Sequence, residues 1–150
     1  AHAPEGWAQL LVASQPFVAC VPAAHALARR RALPLTALAG EPLALVSRSV
    51  SPDYHARIVG ACQAAGFTPQ PLHELQHWLG VVSLVAQGLA VALVPAALQQ
   101  AALSGAAFVP VKDPHGALPR YETRCLWNPE RDLPALGLFL AQVREVAQAG

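Results

Sequence analysis

Methionine is absent from the 150 residues. A translation product begins with it, so the sequence is expected to be a piece of a longer protein. Lysine occurs once, at Lys112, and the only tight basic run is Arg29-Arg30-Arg31. A nucleic-acid surface needs clustered cations. The formal net charge is only +1, so no strong field toward DNA or an anionic membrane is expected of this segment. Charged residues make up 13% of the chain against 54% hydrophobic ones, which excludes disorder. No apolar run approaches the roughly 18–20 residues of a membrane span. The opening "AHAPEGWAQ" lacks the basic and apolar regions of a signal peptide, so no membrane and a cytoplasmic setting are expected.

The chemical motifs are sparse too. GxGxxG, GxxxxGK[ST] and GxSxG are missing, so phosphate loops and a nucleophile elbow have no signature here. The three cysteines, Cys20, Cys62 and Cys125, are widely spaced in apolar contexts with no CxxC. They are read as small buried hydrophobes. No metal and no cofactor is called for. We expect no enzyme.

What is present is an ordered series of apolar runs. "FVACV" (17–21), "PLALVS" (42–47) and "LAVALVP" (89–95) read as buried strands. "TPQPLHEL" (68–75), with two prolines, reads as an edge strand, and "AAFVPV" and "RYETRCLW" as two more. A helical turn is expected near Leu35–Leu38. Helices are expected in "SPDYHARIVGACQAAGF" (51–67), over 76–88, at "AALQQAAL" and over 134–148. Leu136, Phe139, Leu140, Val143 and Val146 form the apolar stripe of the last. Gly66 and Gly88 stand where helices stop in the left-handed region. This alternation predicts an α/β fold with a largely parallel sheet.

Two stretches concentrate functional side chains. "HELQH" (73–77) matches the zinc-hydrolase pattern HExxH. The prolines before it, however, place His73 in an extended segment, so the two histidines do not share a helical face. "SRSVSPDYH" (47–55) crowds hydroxyls, an Arg, an Asp, a Tyr and a His together. Ser51, Asp53 and His55 do not share one helix face, which argues against a triad. Ser51 suits an N-cap, Pro52 the first helical position and Asp53 the first turn. A helix start after a buried parallel strand also presents N–H groups where α/β folds bind small ligands.

The segments "QPFVACVPAAHALA", "LTALAGEPLALVSRSVSPDYHARIVGACQAAGFTP", "HELQHWLGVVSLVAQGLAVALVPAAL" and "FVPV" resemble, in order, the effector-binding domain of LysR-type transcriptional regulators. The resemblance covers nearly the whole chain. It implies a type 2 periplasmic-binding-protein-like lobe with a mixed, mostly parallel sheet flanked by helices, plus part of a second lobe. Residues 1–21 would be the remainder of the first lobe and a hinge strand, 22–118 the second lobe, and 119–150 the return hinge strand and C-terminal helix. A small effector, a carboxylate or aromatic acid, would sit between the lobes. Its contacts here would be Arg48, Ser49, Val50, Ser51, Pro52, Asp53 and Tyr54, with Val91 as a further candidate. The full-length protein would be a homo-oligomer through the Asp53–Ala65 helix. It would reach DNA only through an N-terminal winged helix-turn-helix outside this sequence.

Ala90 stands where the family usually has Gly, and a Cβ there is expected to narrow the approach to the cleft. Asp53 would compete with an anionic effector for the helix N–H groups. The alternatives are a fragment of a solute-binding protein of the same architecture, or a hydrolase using the HELQH or SVSPDYH residues. Trp78, near the start of its helix, is the tryptophan to watch.

Overall fold

The computed structural model describes residues 4–101, 103–131 and 134–148. His2 and Ala102 of "AALQQAAL" lie outside them. The chain divides into two compact units, one of residues up to Gln15 and from Arg120 onward, the other Pro16–Pro119.

The smaller unit pairs β1 (Ala8–Gln15) antiparallel with β8 (Tyr121–Trp127), from Ala8 opposite Trp127 to Gln15 opposite Tyr121. Helix α3 (Pro134–Gln148) follows. The β1 strand was not expected from the sequence, because its residues are only half-buried and its partner lies more than a hundred residues away. The Arg120 guanidinium staples this pair, donating from Nε to Ser14 Oγ at 2.8 Å and from Nη2 to the Ser14 carbonyl at 2.9 Å. The expected stripe of α3 is only partly buried. Leu140 is covered and Leu136 and Val143 are half-buried, but Phe139 and Val146 are 56% and 68% exposed. A two-stranded sheet is too narrow to cover the whole stripe.

The larger unit has a six-stranded sheet. It is built from β2 (Phe17–Pro22), β3 (Leu33–Pro34), β4 (Leu43–Val46), β5 (Pro71–Leu75), β6 (Val91–Pro95) and β7 (Ala106–Lys112). The order is β3-β7-β2-β6-β4-β5. The β3–β7, β6–β4 and β4–β5 junctions are parallel, and β2 runs antiparallel to both neighbours. The sheet is therefore mixed, with a small parallel majority. The first boundary between the two units lies between Gln15 and Pro16, just ahead of β2. β2 hydrogen-bonds to strands of the larger unit on both sides and so belongs in the middle of that sheet.

Helix α1 (Pro52–Ala64) and α2 (Trp78–Ala86) are the two long helices of this unit. Both end as their glycines predict. Gly66 and Gly88 have φ of 95° and 78°. Behind α1, Gly66 N–H donates to Gln63 C=O and Phe67 N–H to Cys62 C=O, the paired bonds of a Schellman stop. Leu35–Leu38 is a 3₁₀ turn, as expected, while Ala96–Ala101 is a 3₁₀ segment rather than an α-helix.

The core explains the continuous apolar strands. Val81, Val82 and Val85 of α2 pack with Val18, Cys20, Ala44, Val46, Ala92 and Val94. The alternate residues Ala19, Val21, Leu45 and Leu93 point to the opposite face, as a period of two requires, and are equally buried. Burial pushes the Cys20 thiol up to about 12 and the Cys62 thiol up to about 11. Both are therefore inert hydrophobes near neutral pH. Among the described residues no helix is long and apolar enough to cross a membrane.

Candidate functional site

The strand directions gather one set of ends. β4, β5 and β6 are connected by parallel pairing, and Phe17 of the antiparallel β2 lies opposite Pro95. Val46, Leu75, Pro95 and Phe17 therefore share the carboxyl edge of this part of the sheet. The chain leaves β4 there through Ser47 to Ser51 and enters α1. It leaves β5 there and enters α2 at Trp78.

The serine loop is a compact turn built on Ser47. The Ser47 N–H donates to the Leu75 carbonyl at 2.8 Å, extending the β4–β5 ladder by one bond. The Ser47 carbonyl accepts from both Val50 N–H and Ser51 N–H at 3.0 Å. Its buried Oγ accepts from Ser49 N–H at 3.3 Å and shares a 2.9 Å hydrogen bond with Ser49 Oγ. Arg48, Ser49, Val50, Pro52 and Asp53 are exposed around this turn, and Ser51 and Tyr54 are half-buried.

Ser51 occupies the N-cap position, and its carbonyl takes the His55 N–H at 3.0 Å. Its hydroxyl makes no cap hydrogen bond, contrary to expectation. The backbone at φ −142°, ψ 71° is set by the turn on Ser47 rather than by a side-chain cap. Pro52 and Asp53 stand in the first turn as expected.

Aromatic side chains form a wall beside the loop. The Phe17 ring centroid lies 5.9 Å from that of Tyr54 and 5.9 Å from that of Trp78, both in tilted or edge-on geometry. Such offset contacts suit the aromatic quadrupole. Trp78 thus joins the site by contact.

Val91 does not. It opens β6 opposite Leu43, at the amino end of β4, about 10 Å along the strand from the loop, and it is 2% exposed. Ala90 likewise packs in the core against α2, so its methyl narrows no approach at the carboxyl edge. A shallow depression of about 360 Å³ lies toward that amino end, lined in part by Leu38, Glu41, Leu43, Phe67 and Gln70. It is remote from the serine loop.

The hydrolase alternatives have no geometry to support them. His73 lies inside β5 and His77 is the extended residue preceding α2, with φ −140° and ψ 144°, so one helical face never carries both. Among the described residues no group of three His, Cys, Asp or Glu could hold a metal ion. Glu74 instead reaches His55, with Oε1 3.2 Å from Nε2. That engages Nε2, and Nδ1 is buried without a hydrogen-bond partner among the described residues, so neither ring nitrogen is bonded to a serine hydroxyl. The role of Ser47 and the His55–Glu74 contact were not legible in the sequence. No residue spacing announces a contact set by strand register.

The LysR substrate binding domain family model matches residues 2–148. The chain belongs to this family. It is 34% identical over 146 residues to the HTH-type transcriptional regulator IlvR of Caulobacter vibrioides, a match covering 97% of this chain and 47% of that protein. It is 26% identical over 87 residues to the HTH-type transcriptional regulator AlsR of Bacillus subtilis, covering 58% of this chain and 29% of that one. The chain thus spans about half the length of IlvR. Its fold resembles CbnR, a LysR family transcriptional regulator, with a TM-score of 0.82 at 20% identity over 97% of this chain and 50% of that chain. It also resembles the BenM effector binding domain solved with its effector benzoate, with a TM-score of 0.75 at 20% identity over 99% of this chain and 65% of that one. This LysR chain is of the architecture its residues suggested, a type 2 periplasmic-binding-protein-like α/β fold.

Proposed function

We propose that this chain is the ligand-sensing part of a bacterial LysR-type regulator with no catalytic role. The larger unit is read as the second effector-domain lobe and the smaller as part of the first. In the full-length protein a small effector, a carboxylate or aromatic acid, is held between the lobes. Arg48, Ser49, Val50, Ser51, Pro52, Asp53 and Tyr54 supply the second lobe's contacts. The observation that carries this reading is the carboxyl edge itself. There the serine turn, the N-terminus of α1 and the Phe17–Tyr54–Trp78 wall lie side by side.

A helix start favours an oxygen-bearing anionic group. The exposed Asp53 opposes a full negative charge, and Arg48 offsets it. Binding shifts the population of lobe arrangements, and the shift reaches a DNA-binding domain outside this chain. The α1 helix packs against a partner subunit in a cytoplasmic homo-oligomer. A monomer in light scattering at micromolar concentration would overturn that element.

A thermal-shift screen of the full-length protein against small carboxylates and aromatic acids tests the site. A ligand at a hundredfold excess over Kd stabilises by about 2.7 kcal/mol. The Ser51→Ala, Tyr54→Ala double variant loses that response, and full retention would remove the loop from the site.

A further inference from the structure

We infer that His55 and Glu74 are positioning residues of the carboxyl-edge site. Their hydrogen bond sets the spacing between the serine loop on α1 and Trp78 on α2, the two walls a small ligand would meet. The inference rests on the proposed effector site and adds to it the pair that fixes its width.

His55 lies in the first turn of α1, directly after Tyr54, and is 8% exposed. Packing alone asks for an apolar side chain at such a position, since a buried imidazole costs free energy unless it is hydrogen-bonded. It makes one side-chain bond, 3.2 Å from Nε2 to Glu74 Oε1. A carboxylate oxygen accepts, so Nε2 is the donor of this bond, while Nδ1 is buried without a hydrogen-bond partner among the described residues. Among the described residues, Glu74 is thus the polar group that holds the ring in register. Glu74 is the penultimate residue of β5, four residues before Trp78. The bond thus joins the start of α1 to the strand that delivers α2. Phe17 touches Tyr54 on one side and Trp78 on the other, so the whole aromatic wall spans the two elements this bond ties.

The test needs no ligand. Hydrogen–deuterium exchange is followed over residues 47–54 of the full-length protein. Trp78 emission is followed in a Trp7→Phe, Trp127→Phe background. Glu74 is 43% exposed, so its substitution leaves the core intact. Glu74→Ala should raise loop exchange roughly fivefold, the size one ordinary hydrogen bond implies, and shift Trp78 emission. The β6 strand should keep its protection. Glu74→Gln keeps an acceptor oxygen and His55→Gln keeps a donor, so each should restore the wild-type behaviour. Wild-type loop exchange and emission in Glu74→Ala would overturn the inference. So would Gln variants as loose as Glu74→Ala. Failure of the effector site itself would show differently, as no screened acid protecting residues 47–54 of the wild-type protein.

Discussion

The two units differ in how much core they own. The larger one buries both faces of β2, β4 and β6, and Leu33, Leu45, Ile58, Val81 and Leu93 are almost wholly covered. In the smaller one Leu140 is the only buried hydrophobic residue among those described, while Trp7, Leu11, Leu138, Phe139 and Val146 are exposed. Two strands and one helix cannot enclose a core, whereas six strands between helices can. The candidate site follows the same division. A ligand mouth has to be held in place by packed elements, and the serine loop follows directly on the buried strand β4.

The sharpest way to break this comparison is to delete the same side chain in each unit. Leu93→Ala empties a site with no solvent exposure and should cost about 3 kcal/mol in denaturant unfolding. Leu138→Ala removes a side chain that is 76% exposed and should change stability by less than about 0.5 kcal/mol. Equal costs would erase the distinction. A smaller effect is expected at Gly105, where φ is +93° and an added Cβ would meet the Ala86 carbonyl oxygen at 2.7 Å. Gly105→Ala should destabilise the larger unit by about 1–3 kcal/mol, read in the same unfolding experiment.

Thiol chemistry gives the finest contrast. In the native protein iodoacetamide should label Cys125, which is half-buried in the smaller unit, and spare Cys20 and Cys62, as counted by mass spectrometry. Unfolded thiols ionise near 8.5. Cys20 and Cys62 hold their protons to about 12 and about 11 in the fold. Their contribution to stability is full below the unfolded value and is lost as pH rises through the folded values. Melting temperature should therefore fall above about pH 9, and less steeply when both residues are changed to Ala.

Much of the larger unit was legible because its signals are local. Pro52 and Gly66 marked both ends of α1, Gly88 marked the end of α2, and the continuous apolar runs marked strands buried on both faces. β1 was not legible, since its alternation is weak and its only partner is distant. Neither was strand order, which puts β2 in the middle of the sheet and Val91 at the amino end of β6, opposite Leu43. The serine loop was visible as a stretch, and Trp78 as a candidate beside it. The role of Ser47 and the bond from His55 to Glu74 were not. Parallel pairing of β4 with β5 brings Glu74 level with Leu45, a register no spacing rule supplies.

Hydrogen–deuterium exchange of the full-length protein, with and without the best-stabilising acid from the effector screen, is the most direct test of the central claim. The account predicts protection concentrated on residues 47–54 and the start of α2 at Trp78, with no change around Val91. Protection at Val91 and the Leu38–Phe67 depression, with the serine loop unaffected, would contradict it.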